Sequence, residues 1–139
     1  MVKDDMIRAG AFDQIEALTR EAVQTMLGFT IGHVGINCET AEEARRIAGV
    51  FEAMFGFTAK EGEGSLFAGT AVEVMKGKGP GRLGHIAIRT NFLARAVNYL
   101  TLKGYAFEDE KKYDEKGNWT AIYLKEEIGG FGVHLVQKK

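Results

Sequence analysis

The chain has one cysteine, one proline and three histidines among its 139 residues. Cys38, standing alone, excludes an intrachain disulfide framework and a cysteine-based zinc site. A reducing, cytoplasmic setting is the corresponding expectation. One proline, Pro80, against 18 glycines argues for many tight turns and strands rather than a helical bundle. Positive charge is not in excess: the formal net charge is −1, so neither nucleic acid nor a membrane surface is an expected partner. No apolar run approaches the ~18 residues of a membrane span, and the charged start Met1-Val2-Lys3-Asp4-Asp5 does not read as a signal peptide. What is present is an ordinary globular mixture, 45% hydrophobic and 27% charged, long enough for one domain with its own core.

The strongest internal signal is a repeat. Ile31-Gly32-His33-Val34-Gly35-Ile36 and Leu83-Gly84-His85-Ile86-Ala87-Ile88 share Gly-His-(Val/Ile)-(Gly/Ala)-Ile, and a helix-like segment follows each. After the first, Thr40-Ala41-Glu42-Glu43 has capping-box spacing, and apolar residues recur at helical intervals until Gly56. Short strands are then expected at 57–60, 65–68 and 71–75. Residues 76–82 read as a Gly-rich connector. After the second, Asn91 is placed to cap a helix that ends near Gly104. Strands follow from Tyr105, over 119–125 and over 131–136, with a hairpin turn at Asp114–Asn118. Each unit is therefore β-α-β-β-β, module A spanning 30–76 and module B 83–137. The expected fold class is α+β, with both modules in one 29–139 domain. Residues 1–28 form a separate leader, in which Asp13 and Glu16 have capping-box spacing, Ile15, Leu18, Val23 and Met26 make one apolar stripe, and Gly28 ends the helix.

Strand side chains alternate between faces. One face collects Val34 and Ile36, Val72 and Val74, Ile86 and Ile88, and Val133 and Leu135, a pattern suited to a core under helices. The other collects His33, Glu73, His85 and His134, each beside a small residue: Gly35, Ala71, Ala87 and Gly132. All three histidines of the chain fall on this face. Each alone reads as a hydrogen-bonded or surface histidine; together with Glu73 at equivalent strand positions they read as a divalent metal site. Zinc, nickel, cobalt, iron and manganese all accept imidazole and carboxylate. Asn37, Arg89 and Tyr123 have the parity to contact a substrate, although Arg89 also suits the rim. Phe67 is a candidate pocket wall, and Lys111-Lys112 read as solvated.

Residues 30–137 resemble the vicinal oxygen chelate superfamily, which includes glyoxalase I, extradiol dioxygenases, fosfomycin-resistance enzymes and methylmalonyl-CoA epimerase. Gly84-His85-Ile86-Ala87-Ile88 is similar to the opening of the second module of bacterial glyoxalase I. Ala71-Val72-Glu73-Val74 is similar to the strand that gives its first carboxylate, and His33 matches its first histidine. Phe131-Gly132-Val133-His134-Leu135 lies where the family has Gly-x-x-Ile-Glu-Leu, so a histidine stands in place of the glutamate that acts there as base. The resemblance implies a cupped, glyoxalase-like mixed sheet around a divalent metal held by His33, Glu73, His85 and His134. Glu73 or His134 would then be the proton carrier. It also implies a homodimer. Residues 1–24 resemble the C-terminal end of 2-keto-3-deoxy-phosphogluconate aldolases, which implies a domain fused to or associated with such an aldolase.

Two functions follow as expectations. The first is a metal-dependent isomerase or glyoxalase-like lyase acting on a small 2-oxo or 2-hydroxy acid, or a sugar acid, through a chelated enediolate. The second is a non-catalytic metabolite-binding or dimerisation domain appended to an aldolase. Sequestration of a drug or toxin, as in bleomycin-resistance proteins, fits less well, because such binders generally lack the histidines.

Overall fold

The computed structural model describes residues 2–139. Two helices, α1 (Asp4–Arg8) and α2 (Phe12–Leu27), precede the sheet. Module A follows as β1 (Thr30–Ile36), α3 (Ala41–Phe55), β2 (Ala59–Glu61), β3 (Ser65–Ala68) and β4 (Val72–Met75). Module B repeats the order as β5 (His85–Thr90), α4 (Leu93–Leu102), β6 (Phe107–Tyr113), β7 (Trp119–Leu124) and β8 (Gly132–Gln137). The eight strands form one mixed sheet in the order β2-β3-β4-β1-β5-β8-β7-β6. The order is symmetric about its centre. In each module the first strand pairs in parallel with the last, and β1 pairs antiparallel with β5 across the seam. One chain thus builds the whole sheet. A register shift between Ile31 and His33 marks an irregularity in β1 at that seam, the kind of local disruption that bends a strand.

The helix ends show which local signals act. Thr40 caps α3, its side chain accepting from Glu43 N–H at 3.1 Å, while the Glu43 carboxylate accepts from Glu39 N–H at 2.8 Å. Gly56 closes that helix in the left-handed region, φ 68°. The expected caps at Asp13 and Asn91 do not form. Helix α2 begins one residue before Asp13, which therefore lies in the first turn, where its charge suits the helix dipole. Helix α4 begins after Phe92, and the side chain of Gln137 accepts from Leu93 N–H at 2.9 Å. Asn91 turns the other way and donates to the Met26 carbonyl at 3.1 Å.

Two apolar clusters hold the helices on one face of the sheet. In the first, Ala44 and Ala48 of α3 pack with Cys38, Leu66 and Val74. Leu27, Leu93, Ala96, Ile122 and Leu135 form the second, with Val23 and Met26 of α2 packed against it. The last turn of α2 is therefore part of the module B core. The buried Thr90 hydroxyl donates to the Leu27 carbonyl at 2.7 Å, and the Lys138 ammonium donates to the Gly28 carbonyl at 2.6 Å. The other end of α2 differs: Phe12 is exposed, as is Ile7 of α1. The core-face alternation holds at Val74, Val133 and Leu135 but not at Val34, which is 37% exposed, with Ile31 beside it at 69%. Those residues lie on β1, one of the two middle strands, which neither core cluster includes. Among the described residues no helix is long and apolar enough to cross a membrane.

Candidate metal centre

The opposite face of the sheet carries the site. Pairing register sorts its residues into two rows. In one, Phe67 lies opposite Glu73, Glu73 opposite Gly35, Gly35 opposite His85 and His85 opposite Gly132. In the other, His33 lies opposite Ala87, Ala87 opposite His134 and His134 opposite Tyr123. Gly35 thus separates Glu73 from His85, Ala87 separates His33 from His134, and the His85 imidazole leans over Gly35. The three rings meet with centroids 5.3–5.4 Å apart.

The donor atoms converge. His33 Nε2 stands 3.2 Å from His85 Nε2, and the Glu73 Oε2 atom lies 3.1 Å from the first and 3.0 Å from the second. Nitrogen and oxygen ligands bound at ~2.0–2.2 Å to one ion stand ~3.0–3.4 Å from each other, so this triangle has the dimensions of a coordination face. The ligand-capable nitrogens of His33, His85 and His134 all lie within 4.8 Å of one another. Three buried imidazole atoms, His85 Nδ1 and both nitrogens of His134, have no hydrogen-bond partner among the described residues. An unpaired buried polar atom costs roughly 1–3 kcal/mol, which a ligand at His134 would offset. The residues present therefore fit a divalent cation.

The electrostatics agree with that fit. Burial alone would raise the Glu73 carboxyl, but hydrogen bonds with His33, His85 and Ser65 outweigh it and hold the group well below the usual carboxylate range. Glu73 is a carboxylate at neutral pH. Burial, helped by the charges of His85, His33 and Lys112, pushes His134 down to about 3. It is a neutral imidazole, the form that binds metals. Tyr123 stacks on it, centroids 4.5 Å apart and planes 12° from parallel; burial and the Glu73 charge push its phenol up to about 12.

Of the remaining sequence-predicted residues, Tyr123 lies at the site and also lines a cleft of about 390 Å³ bounded by Pro80, Gly81, Glu110, Lys112 and Gly132. Asn37 is committed elsewhere. Its amide donates to the carbonyls of Gly79 and Gly81 at 3.2 and 2.9 Å, and its Oδ1 accepts from Gly79 N–H at 3.1 Å, bracing the connector between the modules. Arg89 is exposed and lines a separate depression with Thr30, Val136 and Gln137. Phe67 packs edge-on against His33 at 5.4 Å. Lys112, read from sequence as simply solvated, has its ammonium 5.6 Å from the centroid of the Tyr123 ring. Sequence reasoning missed Ser65, whose hydroxyl donates to Glu73 Oε1 at 2.6 Å. Its parity on β3 with Phe67 was the available signal.

The two β-α-β-β-β modules in one mixed sheet have the glyoxalase-like fold. Among solved structures the chain is similar to a selenomethionine methylmalonyl-CoA epimerase, with a TM-score of 0.55 and 21% identity over 78% of this chain and 94% of that one. The methylmalonyl-CoA epimerase of Mycobacterium tuberculosis gives a TM-score of 0.57 at 15% identity, covering 82% and 90%. A hypothetical protein from Bacillus halodurans C-125 gives 0.58 at 14%, covering 80% and 95%. No protein-family model and no curated protein matches the chain. The aldolase likeness of residues 1–24 gains no support from these comparisons.

Proposed function

We propose that this chain is a metal-dependent isomerase that moves a proton at a carbon beside a carbonyl group of a small oxygen-rich acid. The observation that carries the reading is the triangle of His33 Nε2, His85 Nε2 and Glu73 Oε2, with the partnerless His134 imidazole beside it. A divalent ion there would polarise a chelated carbonyl and favour loss of the adjacent proton. His33, His85 and Glu73 are the groups that would hold it. His134, neutral and with a ligand nitrogen within 4.8 Å of those of His33 and His85, is the group placed to complete the ligand set. Tyr123 fixes the ring plane of His134 by stacking and also lines the adjacent cleft.

The epimerase neighbours favour isomerisation over the lyase alternative. A 2-oxo or 2-hydroxy acid remains the proposed substrate class, with a homodimer as the proposed assembly. The reading as a non-catalytic domain appended to an aldolase is not favoured, because it gives no reason to gather three imidazoles on one face, two of them buried.

The test has two stages. Chelator-stripped protein is loaded with zinc, nickel, cobalt or manganese and its metal content measured, with His33→Ala and Glu73→Ala alongside. The loaded chain is then incubated in heavy water with a panel of 2-oxo acids, 2-hydroxy acids and methylmalonyl-CoA, and loss of the α-proton signal is followed by NMR. About one ion per chain, lost in both variants, with exchange on at least one panel member, is the expected result. Absence of stoichiometric metal in the parent chain overturns the reading.

A further inference from the structure

The modules repeat, yet they treat their last-strand polar residues differently. On the module A side, Phe67 of β3 lies opposite Glu73, and two residues earlier on the same strand stands Ser65. On the module B side, Tyr123 of β7 lies opposite His134, and two residues earlier stands Ala121, which is buried and has no donor. The Ser65 hydroxyl therefore has no counterpart. It donates to Glu73 Oε1 at 2.6 Å, while Glu73 Oε2 faces His33 and His85. Both oxygens of the carboxylate are thus assigned, one to the protein and one to the site. His134 has neither nitrogen engaged.

We propose that Ser65 is a positioning residue that fixes Glu73 as a one-oxygen metal ligand. A carboxylate with both oxygens free can rotate, bind an ion through two oxygens or leave it to take a proton. With Oε1 held by a short hydroxyl bond, the torsion is set and only Oε2 reaches the two imidazoles. Groups that orient a ligand from behind tune metal affinity, and their loss typically costs 10–100-fold. The unmatched Ala121 leaves His134 without such a hydrogen bond, so the two last-strand residues are held differently: Glu73 by a hydroxyl, His134 by stacking on Tyr123. This rests on the metal-dependent reading above.

The experiment measures cobalt(II) affinity by calorimetry, and the visible absorption of the bound ion, for the parent chain, Ser65→Ala and Ser65→Thr, with metal-free thermal stability recorded for each. The expected result is a 10–100-fold loss of affinity and an altered cobalt spectrum in Ser65→Ala, with metal-free stability little changed. Ser65→Thr keeps the hydroxyl, suits a strand and retains parental affinity within a few-fold. Equal affinities in the parent chain and Ser65→Ala would overturn the inference and leave the metal reading intact, as would equal losses in Ala and Thr. A parent chain that binds no cobalt overturns both, and is recognised because the parent itself fails.

Discussion

The His85 imidazole lies across the α-carbon of Gly35, its cross-strand partner: a Cβ built on Gly35 would stand 2.0 Å from His85 Cε1 and 2.2 Å from Nδ1. The glycine is thus the space into which the ring folds, and His85 reaches Glu73 and His33 because position 35 carries no side chain. Gly35→Ala is expected to push the ring out of the triangle. Overpacking of this kind costs about 1–3 kcal/mol, read by urea denaturation of metal-free protein, and metal affinity should fall with it. Gly49→Ala is the control. It lies exposed inside α3 with nothing within 4 Å of an added Cβ, and should stabilise by about 0.5–1 kcal/mol. Parental stability and metal affinity in Gly35→Ala would refute the packing argument.

Metal removal should be visible in thermal unfolding. A ligand that binds only the folded chain at a hundredfold excess over its Kd stabilises by about 2.7 kcal/mol, which for a domain of this size raises Tm by roughly 5–15 °C. The rise should vanish with excess chelator and in His33→Ala. A Tm indifferent to added zinc, nickel, cobalt and manganese would count against the site.

Leu27 tests whether α2 belongs to the domain or rides on it. The residue is fully buried among Leu93, Ala96, Ile122 and Leu135, although it lies in the segment that sequence reasoning set apart as a leader. Leu27→Ala should cost about 2–5 kcal/mol, and Phe12→Ala, at an exposed position in the same helix, within about 0.5 kcal/mol. Similar small effects at both positions would mean that α2 is not anchored in module B.

Much of this architecture was legible because strand alternation is local information. The spacing of His33, His85, His134 and Glu73 within their strands decided which face each would share, and the Gly-His repeat marked where each module opens. Contacts made over long sequence separations were not legible. Gln137 caps a helix 44 residues before it, displacing Asn91 from the expected role. Asn37 binds the connector 42 and 44 residues on, where parity alone suggested a substrate contact. Ser65 reaches Glu73 only through the β3–β4 register. Alternation also says which side Val34 takes, but not whether a helix covers it, and the structure leaves it partly bare.

Glu61 gives the pH prediction. Arg45 holds its carboxylate through two nitrogens, at 3.1 and 2.8 Å, and Lys76 adds an ammonium at 2.7 Å, tying α3 and the end of β4 to β2. Arg45 first, then Lys76, brings the carboxyl down to about 2 from its ordinary 4.5. A folded-state value below the unfolded one means that the contribution is fully present above about 4.5 and is lost as pH falls toward 2. Comparing urea midpoints of the parent chain and Glu61→Gln should therefore show the parent ahead at pH 6, with the gap closing between pH 4.5 and 2. Because the pair is exposed, the gap should be small and should shrink further in strong salt. A gap of the same size at pH 2 and pH 6 would assign the difference to packing rather than to charge.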